Sequence, residues 1–162
     1  MRWGTKVRCL WLVVILLLPS VAAAWEADGF RSGDSVERVE KEMASWGVIK
    51  RPRIPRSGLK GVYSIGAMGR WFTFCKDQLY EYDRPFDVTL SGFSTMLESE
   101  IKRLGEPSVG SGPVSASERG IWFNWYPPNE VFQLILGQEE NRKLEATKRY
   151  TDVKLKRLCV EE

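Results

Sequence analysis

The sequence predicts an α+β fold: an antiparallel sheet with two helices packed on one face. Three observations carry this. Two segments space their apolar residues as helices do, and each ends at a glycine. Two aromatic runs alternate on either side of short turns, which is the pattern of a β-hairpin. Helix and hairpin then recur in the same order, so the domain reads as two similar helix-loop-hairpin units, at about 29–90 and 91–162.

The first helix follows Ser32-Gly33-Asp34-Ser35 and carries Val36, Val39, Met43 and Trp46 on one face. Asp34 or Ser35 is its expected N-cap and Gly47 its C-cap. The second runs from Ser91 to Leu104, with Phe93, Leu97, Ile101 and Leu104 in line and Gly105 at its end. Superposing Gly47 on Gly105 aligns Val39 with Leu97, Met43 with Ile101 and Trp46 with Leu104. Trp71-Phe72-Thr73-Phe74 then matches Trp122-Phe123-Asn124-Trp125. After turns at Lys76-Asp77 and Pro127-Pro128-Asn129, Leu79–Tyr82 matches Val131–Leu134. Phe86–Leu90 alternates as a further strand, and Gly110-Ser111-Gly112-Pro113 reads as a flexible connector. Lys143 to Val153 fits either a last strand or a helix.

The N-terminus reads as an export signal. Arg2, Lys6 and Arg8 precede an apolar run from Cys9 to Leu18, which Pro19 ends. That run is about half of what a membrane-spanning helix needs. Small residues at Ala22 and Ala24 place cleavage before Trp25, so residues 1–24 are the expected signal and 25–162 a single domain. A bacterial lipoprotein would carry cysteine where Trp25 stands, so the expectation is a free periplasmic or secreted protein. Three of the 24 basic residues leave with the signal, and 21 then balance 21 acidic ones. Net charge gives no reason to expect nucleic acid as a partner. Cys75 and Cys159 remain, an even pair that reads as a disulfide in an oxidising compartment. The loop it would close is worth about 4 kcal/mol in chain entropy.

A helix ending in Leu104-Gly105-Glu106-Pro107, then a loop, an aromatic strand and a hairpin, resembles the small bacterial envelope domains of the β-lactamase-inhibitor-protein type. Outer-membrane assembly lipoproteins share that domain, although this chain lacks their lipidation cysteine. The first unit departs from the pattern, with Trp46-Gly47-Val48 and no proline two residues beyond the glycine. The resemblance implies binding of other proteins without catalysis.

The residues themselves restrict the chemistry. With no histidine, the chain lacks the commonest general base and zinc ligand and every Ser-His-Asp arrangement. Its cysteines are too few and too far apart for structural zinc, so neither metal nor cofactor is expected. Glu40 and Glu42, like Glu98 and Glu100, lie two apart on helices and do not face each other; Glu139-Glu140 reads as a charged turn. An envelope-polymer hydrolase would have to assemble its carboxylates from distant positions. A binding surface is easier to place. With Phe72, Phe74, Phe123 and Trp125 turned to the helices, alternation sends Trp71, Thr73, Cys75, Trp122, Asn124 and Tyr126 to the other face. Trp71, Trp122, Asn124 and Tyr126 are the expected contacts with a protein partner of the envelope or exterior, unless the C-terminal segment covers them. A separate loop carries Lys50, Arg51, Arg53, Arg56 and Lys60 among prolines and offers weak contact with an anionic membrane or polymer.

Overall fold

A computed structural model of the chain describes residues 24–48, 52–56, 61–113, 119–138 and 144–160. Signal residues 1–23, the basic residues Lys50, Arg51 and Lys60, and the Glu139-Glu140 turn lie outside them. A short hairpin comes first, β1 (Glu26–Ala27) and β2 (Phe30–Arg31). Helix α1 (Val36–Ser45) leads into β3 (Ile54–Pro55), β4 (Val62–Ala67), β5 (Arg70–Cys75) and β6 (Gln78–Asp87). Helix α2 (Leu90–Leu104) leads into β7 (Ser108–Pro113), β8 (Arg119–Trp125), β9 (Glu130–Gln138) and β10 (Leu144–Asp152), and α3 (Val153–Val160) closes the described chain. The result is α+β: an eight-stranded antiparallel sheet in the order β3-β4-β5-β6-β10-β9-β8-β7, plus the small hairpin. A helix followed by four sequential strands occurs twice, and the last strand of each set meets the other, β6 against β10, at the centre.

Local chemistry explains the boundaries. Ser35 Oγ accepts from Arg38 N at 3.3 Å to start α1, so Ser35 rather than Asp34 is the N-cap. Thr89 does the same for α2 with Gly92 N at 3.1 Å. Gly105 leaves α2 at φ +85°, its N–H bonded to Ile101 O at 2.8 Å, a backbone that a side chain would resist. Lys76 and Asp77 both take positive φ, 48° and 63°, as a two-residue turn matched to strand twist requires.

Both long helices pack on the same side of the sheet. Val36, Val39 and Met43 of α1 sit on Ile65, Phe72, Phe74 and Tyr82, with Trp25 and Phe30 of the N-terminal segment completing the cluster. Phe93 of α2, with Leu97, Ile101 and Leu104, sits on Trp125, Phe132, Leu134 and Ala146. Tyr150 joins the two clusters, stacking on Tyr82 at 6.2 Å and packing at a tilt against Phe132 at 5.0 Å across adjacent strands. Each such side chain contributes roughly 1.5–3 kcal/mol by leaving water. Trp125 also donates Nε1 to Gly105 O at 2.7 Å, which ties β8 to the end of α2. Phe72, Phe74, Phe123 and Trp125 thus face the helices as their alternation predicts.

Three expectations change and one open choice closes. Among the described residues there are three helices rather than two: α3, a short segment that mixes three cationic residues with apolar ones, follows β10, and it packs on the far side of the sheet. Residues 144–152 resolve the open choice as a strand. Phe86–Leu90 is no separate strand; β6 extends unbroken to Asp87, and Thr89 already caps α2. Gly110–Pro113 is not a connector but part of edge strand β7, paired with β8 from Ser108 to Pro113. No described helix is long and apolar enough to cross a membrane.

Candidate functional site

The sheet face turned away from α1 and α2 can be read row by row from the strand register. One row runs Gly110, Trp122, Ile135, Thr147, Pro85. The next runs Ser108, Asn124, Gln133, Arg149, Asp83, Trp71, Gly66. A third holds Val131, Thr151, Glu81, Thr73, Ser64 and Ile54. Trp71 and Trp122 therefore share a face, four strand steps apart, or roughly 19 Å.

Both tryptophans lie across a glycine of the neighbouring strand. A Cβ added at Gly66 would stand 3.0 Å from Trp71 Cζ3. One at Gly110 would collide with Trp122 Nε1, and one at Gly112 would stand 3.2 Å from Trp122 Cη2. This explains why a strand is built from Gly-Ser-Gly: glycine weakens β7 by propensity, yet only glycine admits the indole. Trp71 remains 42% exposed, and Trp122 and Asn124 are half-buried.

Between the tryptophans the polar groups are already paired. Gln133 Nε2 donates to Asn124 Oδ1 at 2.7 Å. Arg149 holds Asp83 with two bonds of 2.7 and 2.8 Å, the bidentate geometry that makes such pairs strong, and this raises the guanidinium pKa further above its ordinary value. Thr151 donates to Glu81 at 3.4 Å, and Arg56 lies 3.8 Å from the same carboxylate. Burial and the neighbouring Asp83 charge push the Glu81 carboxyl above the usual carboxylate range, against the pull of Arg149, Lys156 and Arg56. Asp83 and Glu81, the carboxylates of these two rows, are each engaged by a cation, and Asp87 and Glu145 pair across β6 and β10 one row beyond Pro85 and Thr147; in chemical terms the surface offers fixed hydrogen-bonding groups between two aromatic anchors.

Helix α3 covers one end of the face. Cys75 and Cys159 form a disulfide, Cα to Cα 6.1 Å, and with Val62, Tyr80 and Leu155 make a small buried cluster there. The open question of cover is therefore divided: α3 hides Cys75, while Trp71 stays accessible. Two shallow cavities of 440 and 320 Å³ flank Trp71, the smaller lined by Ile54, Arg56, Ser64 and Asp83. Tyr126 lies just past the end of β8, 66% exposed, and with Asn124 lines a 630 Å³ cavity beside the end of α2.

The basic loop does not act as one patch among its described residues. Arg53 lies against the helix side, 4.0 Å from both Glu40 and Asp77 and 5.0 Å over the Tyr63 ring. Arg56 turns to the opposite face, donating to Ser64 Oγ at 2.9 Å. Sequence reasoning missed Ile135, Gln133 and Pro85 as members of this face. The two glycines opposite the tryptophans were the available signal. The chain matches no protein-family model, no curated protein and no solved structure.

Proposed function

We propose that the chain is an exported, non-enzymatic protein-binding domain whose partner docks on the sheet face opposite α1 and α2. The observation that carries the reading is the pair of glycine-seated tryptophans on one face, with paired polar groups between them. Trp71, Trp122 and Asn124 are its central contacts, and Tyr126 extends it at one end. Aromatic anchors that lose little side-chain freedom on binding are the usual energetic centres of interfaces. A patch spanning roughly 19 Å between anchors suits the ~800 Å² per partner of a standard interface.

The same features support an internal duplication. Each half is a helix, a glycine exit and four sequential strands; the tryptophans over glycines fall on the third strand of one half and the second of the other, so they are a shared device rather than equivalent positions. Tandem units and an aromatic sheet face are what the resemblance to the β-lactamase-inhibitor-protein type implies, so the domain acts as an inhibitor, immunity factor or assembly accessory of the envelope. The test is capture of a partner from envelope extract by the tagged exported protein, beside Trp71→Ala/Trp122→Ala. A stoichiometric partner lost by the folded variant supports the face; one retained by it moves the contact to the loops.

A further inference from the structure

We propose that the cavity between the N-terminal hairpin and the start of α3 binds a primary ammonium group, and that its ligand is the chain's own mature N-terminus at Trp25. The inference rests on the export reading for its cleavage point and on the fold for its site.

Chain termini usually fray. Trp25 is 4% exposed, stacks on Tyr82 at 6.2 Å and lies 6.0 Å from Tyr150, over the central β6·β10 pair. Its carbonyl accepts from Ser32 N at 3.1 Å. The backbone nitrogen of Trp25 therefore has a fixed place. The residue before it, Ala24, lines a 760 Å³ cavity together with Ser32, Asp34 and Asp152, and Ala24 N donates to Ser32 Oγ at 2.7 Å.

Processing changes the donors at this spot. Water hydrolyses the Ala24–Trp25 amide: the C–N bond breaks, Ala24 leaves with a carboxylate, and Trp25 keeps an amine that takes up a proton at neutral pH. Ser32 Oγ loses the Ala24 amide as a donor, and the new ammonium stands one residue along the chain from the lost one, where Ala24 lined the cavity. Asp34 already binds Arg31 N at 2.9 Å and Arg38 at 3.1 Å. Asp152 is the carboxylate with capacity left: it is 7% exposed, caps α3 through Leu155 N at 3.0 Å, and has no ion-pair partner among the described residues. Glu130, its register partner on β9, is held above the usual carboxylate range by burial and, against the pull of Arg103, by the Asp152 charge. The ammonium then ties the first residue of the mature chain to the cap of α3, the helix that covers one end of the binding face.

The charged groups lining the cavity are Arg31, Asp34, Arg38, Asp152 and Lys154, with Glu130 next to Asp152 on the neighbouring strand. An ammonium paired with a carboxylate titrates above the ~7.7–8.0 of a free terminus. Its contribution is complete below that range and is lost as pH rises through the elevated value. Burial pushes Tyr150 up to about 12 and Tyr82 higher still, so neither ionises in this window.

The experiment uses the full chain, exported through its own leader, with the N-terminus read by mass. It is compared with a version carrying Ala-Ser inserted between Ala24 and Trp25, each also as Asp152→Asn, which keeps a capping oxygen. The protein beginning at Trp25 is expected to lose about 3–5 °C more of its thermal midpoint than the extended one between pH 7 and 9.5, and Asp152→Asn to abolish the difference. Parallel pH profiles, with Trp25 verified as the first residue, would overturn the ammonium site. A different N-terminus by mass would overturn the processing step and this ligand with it, while leaving the sheet-face reading to its own test.

Discussion

Reducing the Cys75–Cys159 bond should weaken the domain and free the end of the sheet that α3 covers. The bond spans 84 residues. The loop-closure relation for that length gives about 4.5 kcal/mol at 25 °C, within the 2–5 kcal/mol that loss of a native disulfide usually costs. At a urea slope of about 2 kcal/mol per molar, the unfolding midpoint should fall by about 2 M. Three samples separate the causes: oxidised protein, the same protein reduced, and Cys75→Ala/Cys159→Ala. The reduced protein keeps both sulfur atoms among Val62, Tyr80 and Leu155, so its loss reports the cross-link alone. The double variant adds the emptied volume, about 1 kcal/mol more. Amide exchange over 153–160 should rise in both. A midpoint shift below about 0.5 M on reduction would refute the reasoning, because it would mean that α3 stays docked without the tether.

Gly110→Ala should force the Trp122 indole off β7 at a cost of about 1–3 kcal/mol, seen as a shift in tryptophan emission and as weakened partner capture; unchanged emission would count against the glycine seat. Glu100, 7% exposed on α2, accepts from Lys148 Nζ at 2.8 Å and from Arg103 at 2.7 and 2.9 Å. Burial alone would raise its carboxyl, but these bonds prevail and hold it below the usual carboxylate range. Its stabilisation is therefore present above that range and lost as pH falls through the lowered value. Glu100→Gln should cost about 2 kcal/mol at pH 7, with the two proteins converging in acid; a constant gap down to pH 3 would contradict the assignment.

Much of this fold is legible in the sequence because the signals are local. Ser35, Gly47 and Gly105 mark helix ends through their own hydrogen bonds and φ values, and Lys76-Asp77 marks a hairpin turn. The inward set of Phe72, Phe74, Phe123 and Trp125 follows from alternation alone. What is not legible depends on partners distant in the chain. Gly110-Ser111-Gly112-Pro113 looks like a linker because glycine's place in β7 is explained only by Trp122, twelve residues beyond Gly110. Helix α3 is only eight residues long, too short for its apolar spacing to set it apart from the strand it follows, and its position depends on Cys75, 84 residues earlier. The candidate face was half legible. Trp71, Trp122 and Asn124 were placed together correctly, while Gln133, Ile135 and Pro85 join them only through the sheet order that sets β9, β10 and β6 between β8 and β5. Tyr126 continues the alternation in sequence but stands beyond the last paired residue of β8.

On the proposed function, a protein partner covers the sheet face opposite the two long helices. Oxidative footprinting of the protein alone and in complex with its captured partner tests it most directly, because tryptophan reacts readily and both anchors are accessible. Trp71 and Trp122 should be protected together, with Leu90, at the start of α2 and 67% exposed, reacting as before. Protection of Leu90 while both tryptophans stay reactive would contradict it and place the partner on the helix side.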